Sequence, residues 1–268
     1  MDTRPVGIFD SGMGGISLLR DAVRILPNEN FIFYGDDRNA PYGDKTEEEI
    51  LTLAGNAADF LISCGVTALV LACNTATSAS INVLREKLDV PVVSIEPAIK
   101  PACEHPGDGK VFMLATVATT HLSRYRALCS RMPDPTRIVN VGCSGLVDRI
   151  EKGITDLDAF DDILDKCLKE YHGMKADGIV LGCTHFVFIA EAIERYFKKH
   201  FTGECRLYDG NAPTVRQLGR VLERNGLTNC CGKANVEFYT SGDRQNLFPI
   251  FKRLFSQPVY KQTLLSNK

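Results

Sequence analysis

Two short segments of the chain end in a cysteine that could act as an acid, a base or a nucleophile. Residues 68–73 read Ala-Leu-Val-Leu-Ala-Cys, and residues 178–183 read Gly-Ile-Val-Leu-Gly-Cys. Each is an apolar run typical of a buried parallel strand, and ligands of open α/β sheets gather at the carboxyl ends of such strands. We therefore expect the thiols of Cys73 and Cys183 to face a cleft, as a pair suited to proton transfer by two bases.

The remaining cysteines show no sign of a disulfide framework or a zinc site. Ten cysteines are spread over 268 residues with no export signal, so reduced thiols are expected. There is no Cys-x-x-Cys spacing, and the adjacent Cys230 and Cys231 are poorly placed for tetrahedral chelation, so we expect no metal. Cys64, Cys129 and Cys167 lie in helical apolar patterns and are interpreted as small core residues. Cys103 and Cys143 receive the same interpretation because their flanks are not comparable to those of Cys73 and Cys183.

Composition excludes several classes of partner. Lysine plus arginine total 31 against 33 for aspartate plus glutamate, and 44% of residues are hydrophobic, so neither nucleic acid nor a membrane is expected as a partner. No run of about 18 apolar residues occurs, and the chain enters a predicted strand at Val6 without a signal-peptide pattern. We expect a cytoplasmic protein, and the sequence leaves a monomer and a homodimer both open.

Strand and helix patterns alternate along the chain, which predicts an α/β fold with doubly wound, mostly parallel sheets. Residues 46–49, Thr-Glu-Glu-Glu, match a capping box that opens a helix ending at Gly65. The predicted strands are 6–9, 31–34, 68–73, 92–95, 111–115, 137–141, 178–183, 205–208 and 236–240. The predicted helices are 16–26, 47–64, 76–88, one near 123, 158–172, one after 213, and 245–255.

Two interruptions of this alternation predict a division into two domains. Proline and glycine accumulate between Pro97 and Gly109, and a second turn covers residues 209–213. The first domain would comprise residues 1–97 and 209–268, and the second residues 98–208. The cysteine strands lie 110 positions apart (183 minus 73). This predicts two similar domains related by a pseudo-twofold axis, with the active site in the cleft between them and both crossings as hinges.

The glycine-rich segment from Asp10 to Gly15 lies between a predicted strand and a helix. Backbone amides and the helix dipole at such a position favour an anion, so a carboxylate could bind there. The spacing differs from nucleotide-binding glycine motifs, and the lysine of a P-loop is absent. A glycine-rich turn that only allows the strand to meet the helix is the competing interpretation, although it leaves the charge of Asp10 unexplained.

Further polar groups follow other predicted strands. In residues 35–43, Asp37 to Asn39 are interpreted as a surface turn, while Pro41-Tyr42-Gly43 could present rigid backbone amides to a ligand. Residues next to the two cysteines would add donors at the same level. These polar side chains, which together suit a small carboxylate, are Asn74, Thr75 and Thr184.

Taken together, these motifs resemble the cofactor-independent aspartate/glutamate racemase family over essentially the whole chain. The residues that carry the resemblance are Gly7-Ile8-Phe9-Asp10-Ser11-Gly12-Met13-Gly14-Gly15, Tyr34-Gly35-Asp36, Pro41-Tyr42-Gly43, Ala72-Cys73-Asn74-Thr75-Ala76, Gly182-Cys183-Thr184-His185 and Phe238-Tyr239-Thr240-Ser241-Gly242-Asp243.

The resemblance implies a catalytic role for each cysteine. Cys73 and Cys183 would exchange the α-proton on opposite faces of the substrate, since inversion at Cα needs a base on one side and an acid on the other. A cysteine pKa near 8.5 suits either role after a modest shift, and helix N-termini beyond both cysteines would lower it. The resemblance further implies Asp10 beside Cys73, His185 beside Cys183, and Glu151 as an additional acidic group. Taken alone, His185 would be interpreted as a packing residue.

The same resemblance implies an isomerase that interconverts L- and D-glutamate and supplies D-glutamate for bacterial peptidoglycan. It implies no metal and no organic cofactor, and glutamate as the small-molecule partner. The implied substrate-binding residues are Asp10, Ser11, Tyr42, Gly43, Asn74, Thr75, Thr184 and His185.

Three alternatives remain at this stage. An aspartate racemase differs by one methylene of substrate, which is worth only about 1–3 kcal/mol of discrimination. A cysteine hydrolase or amidase would need one cysteine, with His185 as its base. An amino-acid-binding sensor would bind in the cleft without α-proton exchange, and it would have no use for paired thiols.

Overall fold

The computed structural model describes residues 3–154, 156–230 and 232–258. Cys231 and residues 259–268 of the predicted first domain lie outside the described residues. The described chain divides into two compact units, one of residues 3–96 and 211–257 and one of residues 97–210.

The first unit is built on a five-stranded sheet with the order β4-β3-β1-β2-β9, in which every pair is parallel. Its strands are β1 (Val6–Asp10), β2 (Phe31–Gly35), β3 (Ala68–Leu71), β4 (Val92–Ser94) and β9 (Val236–Thr240). Its helices are α1 (Ile16–Ile25), α2 (Glu47–Ser63), α3 (Asn74–Lys87), α10 (Asn211–Arg224) and α11 (Arg244–Ser256). Every residue of β1 and β3 is buried, which explains why these strands are apolar apart from Asp10 at the end of β1.

The second unit has a four-stranded parallel sheet with the order β6-β5-β7-β8. Its strands are β5 (Lys110–Ala115), β6 (Ile138–Gly142), β7 (Ala176–Leu181) and β8 (Arg206–Asp209). Its helices are α4 (Ile99–Glu104), α5 (Val117–His121), α6 (Ser123–Ser130), α7 (Leu146–Glu151), α8 (Asp161–Leu168) and α9 (Ala190–His200). The predicted α/β class with parallel sheets is thus confirmed.

Local signals explain where α2 begins and ends. The Thr46 hydroxyl accepts a hydrogen bond from the Glu49 amide (3.3 Å), and the Glu49 carboxylate accepts one from the Thr46 amide (2.8 Å). This reciprocal pair is the predicted capping box. The helix is followed by Gly65 at a φ of +76°, a left-handed conformation that glycine adopts at low cost.

Several helical predictions need correction. The segment from Pro97 to Gly109, predicted as an irregular crossing, contains α4, whose Ile99, Ala102 and Cys103 are buried. Pro101 fits this helix because the first-turn amides have no partner within the helix. The predicted helix over 158–172 is broken into two 3₁₀ turns around α8. Among the helices of the second unit, α5 and α7 were not predicted from the sequence.

The buried carboxylate of Asp177 binds residues that directly precede the strands β5 and β6. Asp177 in β7 accepts hydrogen bonds from the Gly109 amide (2.6 Å) and the Arg137 guanidinium (3.2 Å). Arg137 also donates to the Gly109 carbonyl at 2.9 Å. A Cβ atom at Gly109 would lie 2.6 Å from the nearer Asp177 oxygen. The glycine is therefore needed so that the backbone can approach the carboxylate.

We predict that Gly109→Ala lowers the urea midpoint of unfolding, at a cost of about 1–3 kcal/mol, because the new Cβ displaces a carboxylate held by two donors. Gly55→Ala is the matched control. Gly55 lies inside α2, a Cβ there meets nothing within 4 Å, and the substitution should stabilise by about 0.5–1 kcal/mol. An unchanged midpoint for Gly109→Ala would contradict the proposed clash.

Candidate active site

The first unit places Cys73 between the end of β3 and the beginning of α3. Cys73 is the N-cap residue of this helix, and its sulfur accepts a hydrogen bond from the Ala76 amide at 3.4 Å. The thiol donates to the Ser11 hydroxyl at 3.2 Å, and the residue is 6% exposed. A helix N-terminus favours negative charge, so this position stabilises a thiolate. The predicted helix beyond Cys73 is confirmed, although it begins at Asn74 and not at Ala76.

Asp10 ends the strand next to that of Cys73. In the parallel pairing of β1 with β3, Phe9 lies opposite Leu71, so Asp10 is at the level of the residues that precede Cys73. Asp10 is fully buried and accepts a hydrogen bond from the Gly12 amide at 3.1 Å. The turn that follows is therefore held by the carboxylate.

The glycine-rich turn also has a packing role. A Cβ at Gly15 would lie 2.6 Å from Cβ of Asp10 and 3.1 Å from Cβ of Ala72. Only glycine allows α1 to start this close to β1 and β3. The interpretation of the glycine-rich segment as a turn that allows the strand to meet the helix therefore holds for Gly15. Ser11, by contrast, contacts the Cys73 thiol, so the turn does more than connect two elements.

Asp36 holds the loop that carries Tyr42 and Gly43. Its carboxylate accepts hydrogen bonds from the Tyr42 hydroxyl and the Ser241 hydroxyl, both at 2.6 Å, and from the Asn39 amide group at 3.0 Å. Burial and the Asp36 carboxylate raise the pKa of Tyr42, which therefore stays a neutral donor. The sequence analysis gave Asp36 no role, although it directly follows a strand and belongs to one of the quoted motifs.

The predicted surface turn over Asp37 to Asn39 is only partly correct. The turn forms, and Arg38 is exposed. Asp37, however, is half-buried and accepts a hydrogen bond from the Thr240 hydroxyl at 2.6 Å. The loop is thereby attached to the end of β9, and the carboxylate belongs to the structure of the first unit.

Asn74 and Thr75 occupy the first turn of α3, and both are buried. Within the described residues, Oδ1 of Asn74 has no hydrogen-bond partner. A buried acceptor without a partner costs stability, about 1–3 kcal/mol, so its presence next to Cys73 indicates a ligand with a donor group.

The second unit places Cys183 just beyond the end of β7, with Thr184 and His185 after it. Nδ1 of His185 lies 3.7 Å from the Cys183 sulfur, and its Nε2 lies 2.9 Å from a carboxylate oxygen of Glu151. Cys183 is 8% exposed and His185 3%. Glu151 ends α7, so the structure brings together three of the predicted site residues: Cys183, His185 and Glu151.

The electrostatics of this arrangement favour a charged imidazole. Burial opposes the charge on His185, but the contacts with Cys183 and Glu151 outweigh burial and raise its pKa well above the usual 6.5. These contacts favour the imidazolium form of His185, a form that would be able to stabilise a thiolate at Cys183 or return a proton to it.

The helix predicted beyond Cys183 needs correction. The residues that follow form a 3₁₀ helix, Thr184–Ile189, and α9 starts only at Ala190. No residue of Thr184–Ile189 is exposed, and the tight turn directs Thr184 and His185 inward. The group that contacts the Cys183 sulfur is thus His185, and no α-helix begins at Cys183.

Comparisons with known proteins agree with this geometry. A family model described as Asp/Glu/Hydantoin racemase matches residues 20–218. The chain is 39% identical over 259 residues to the glutamate racemase of Clostridium botulinum strain Loch Maree, covering 96% of this chain and 98% of the relative. The chain belongs to the Asp/Glu/hydantoin racemase family. The resemblance found in the motifs is confirmed, and the enzyme class is that of the isomerases.

Solved structures of glutamate racemases share the fold. The structure from Francisella tularensis in complex with D-glutamate matches with a TM-score of 0.82 at 26% identity, over 97% of this chain and 96% of that one. The Escherichia coli structure in complex with L-glutamate and the activator UDP-MurNAc-ala matches with a TM-score of 0.78 at 30% identity, over 94% and 95%.

Two other kinds of site are absent from the part of the chain that the structure describes. No helix there is both long and apolar enough to cross a membrane. No group of three or more His, Cys, Asp or Glu side chains there is placed to hold a metal ion.

We predict that Glu151→Gln lowers the pKa of His185, because it removes a carboxylate that stabilises the imidazolium. The measurement is a titration of the histidine ring signals by NMR. The His200 signal, in the same unit, should not move. An unaltered His185 titration would show that the carboxylate does not act on the ring.

The same contact makes stability depend on pH. Since the folded-state pKa of His185 is raised, its stabilising contribution is complete below about pH 6.5 and is lost as pH rises through the raised value.

Proposed function

We propose that this chain is a glutamate racemase that interconverts L- and D-glutamate by α-proton exchange between two cysteines, without a cofactor. The observation that carries the choice of substrate is the 39% identity to a glutamate racemase over 96% of the chain. Similar structures are described in complex with D-glutamate and with L-glutamate, so proteins of this fold bind both enantiomers.

The reaction needs one thiolate and one thiol. The thiolate removes the proton from Cα, and the electron pair of that bond is delocalised into the α-carboxylate. The thiol on the opposite face then donates its proton to Cα, which inverts the configuration and leaves the two cysteines with exchanged protonation states. The next turnover in the same direction requires the protons to return. Each cysteine therefore needs a partner through which its proton can move.

In the first unit, this proton-exchanging group would be Cys73. The N-terminus of α3 and the Ala76 amide stabilise its thiolate, and the Ser11 hydroxyl accepts a hydrogen bond from its thiol form. Asp10, at the end of the neighbouring strand, would hold or transfer the proton. The acceptor of Asn74 would receive a hydrogen bond from the substrate ammonium group.

In the second unit, the proton-exchanging group would be Cys183, with His185 as its relay. The imidazolium lies next to the sulfur, and the Glu151 carboxylate fixes the ring from the other side. Thr184 and the His185 backbone would bind the substrate. Further hydrogen-bond donors would stabilise negative charge on the substrate carboxylate in the transition state. These donors are the loop amides of Tyr42 and Gly43, together with Ser11 and Thr75.

In the cell, the enzyme would act in the cytoplasm and supply D-glutamate for bacterial peptidoglycan. Neither nucleic acid nor a membrane would be a partner. A homodimer remains a prediction, which light scattering would test.

We predict that Cys73→Ser and Cys183→Ser each lower kcat for racemisation by at least about 100-fold in both directions, because a serine hydroxyl is a far weaker acid than a thiol. Cys64→Ser, a change at a half-buried cysteine that ends α2, is the control and should retain activity. Circular dichroism of L- and D-glutamate measures both directions.

Proton NMR in deuterium oxide separates two-base from one-base chemistry. With two bases, the product gains deuterium at Cα during the first turnovers, while the remaining substrate keeps its proton. Racemisation that survives loss of either cysteine would exclude the two-cysteine mechanism, and turnover of aspartate but not glutamate would exclude the proposed substrate.

We predict that Asp36→Asn lowers kcat/KM by about 10- to 100-fold, because the loop of Tyr42 and Gly43 loses the carboxylate that positions it. The control is Asp44→Asn, an exposed residue of the same loop, which should stay within about twofold of the unmodified enzyme. Equal kinetics for the two variants would remove Asp36 from the site.

A further inference from the structure

The short helix α7 carries the Glu151 carboxylate that contacts His185, and Glu151 is its last residue. The helix has only six residues, less than two turns, and a helix of that length is not stable in water on its own. Its position must therefore come from contacts with neighbouring elements. Three buried side chains hold one face of the helix against the core, and these are Leu146, Val147 and Ile150.

Arg149, two residues before Glu151, holds the last turn of α7 from another side. Its guanidinium donates to both carboxylate oxygens of Asp162, at 2.5 and 3.1 Å, and to the Ala159 carbonyl. Two parallel hydrogen bonds between a guanidinium and a carboxylate fix direction as well as distance. The end of α7 is therefore attached to residues 157–162, which we call the clamp segment.

The clamp segment is attached in turn to α9. Arg195 of α9 donates to three acceptors of the segment at distances of 2.5 to 3.0 Å, and these are the carboxylates of Asp158 and Asp161 and the carbonyl of Leu157. The helix α9 directly continues the 3₁₀ helix Thr184–Ile189, which contains His185. Through Arg149 and Arg195, the clamp segment thus connects the element that carries Glu151 to the element that carries His185.

We propose that Arg149 is a positioning residue for the proposed His185 relay: it holds the last turn of α7 on the clamp segment, so that the Glu151 carboxylate stays on Nε2 of His185. Arg149 acts through Glu151 and takes no part in proton transfer itself. Its effect on turnover rests on the proposed function, whereas its effect on the His185 ring is measurable without turnover.

The charge of Arg149 and its positioning role would act on His185 with opposite signs. As a nearby cation, the guanidinium opposes the imidazolium, so a direct effect of charge means that its removal raises the pKa of His185. As the group that positions Glu151, it supports the imidazolium, so its removal lowers that pKa. The direction of the change therefore separates the two effects.

The first test is an NMR titration of the histidine ring signals in the full-length protein. Arg149→Gln should lower the pKa of His185 towards its value in Glu151→Gln. Arg149→Lys keeps the charge but not the paired hydrogen bonds, so it should lower the pKa less. In a Glu151→Gln background, Arg149→Gln should no longer lower the pKa, because no carboxylate is left to position. A raised or unmoved pKa in Arg149→Gln, or an equal lowering in the Glu151→Gln background, would overturn the proposal.

The matched control is Lys175→Gln. Lys175 forms an exposed ion pair with Asp108 in the same unit, just before β7 and therefore at the opposite end of this strand from Cys183. This variant should leave the His185 titration unchanged. Exposed ion pairs contribute little to global stability, so neither Lys175→Gln nor Arg149→Gln should move the urea midpoint of unfolding much. A lower midpoint for Arg149→Gln with an unchanged His185 titration would make Arg149 a structural residue only and would overturn the proposal.

The second test is the pH profile of kcat for glutamate racemisation. At neutral pH, we expect Arg149→Gln to lower kcat by about 3- to 10-fold, because the relay is held less well in place. The loss of activity with rising pH should begin at lower pH, because the imidazolium is lost earlier. If the unmodified protein does not racemise glutamate, the proposed function fails, while the NMR titration still decides the role of Arg149. Racemisation with the same pH profile in Arg149→Gln and Lys175→Gln would overturn the positioning role.

Discussion

The parallel arrangement of the strands is the constraint on which the candidate site depends. Parallel strands of one sheet all end at the same edge, where the following helices begin and where backbone amides point outward. In the first unit, this edge holds Asp10 at the end of β1, Asp36 just after β2 and Cys73 just after β3. In the second, Cys183 lies just after β7. The sheets therefore position the candidate site residues, and the loops only add further groups around them.

In the proposed mechanism, the two units would stabilise their thiolates in different ways. Cys73 caps α3, and a helix N-terminus contributes typically 0.3–1 kcal/mol, up to about 2 kcal/mol when partly buried. Cys183 precedes a 3₁₀ helix, and its thiolate would rely on His185, whose pKa the Glu151 carboxylate helps to raise. A helix dipole can stabilise a charge but cannot transfer a proton. His185 would also be able to deliver a proton to Cys183, whereas Cys73 would need Asp10 or the substrate itself for this step.

Sequence patterns predicted the elements that are buried on both sides or carry their own end signals. The strands β1, β3 and β7 are apolar apart from Asp10 and Asp177, and the capping box at Thr46 marks the beginning of α2. Contacts between residues that are far apart in the sequence leave no pattern in it that could predict them. Ser241 binds Asp36 across 205 positions, and His185 contacts Glu151 across 34. Glu151 was found only through the family resemblance, and Asp36 was missed altogether.

The equilibrium between L- and D-glutamate places a constraint on kcat/KM that applies to the whole site and not to one residue. Because L- and D-glutamate have equal free energy in water, kcat/KM must be the same in both directions for any variant of such an enzyme. A residue that acts on one thiol can change kcat and KM separately for each enantiomer. It cannot make kcat/KM differ between the two directions. Loss of Glu151 would therefore alter the balance of the two half-reactions and lower kcat/KM equally for both.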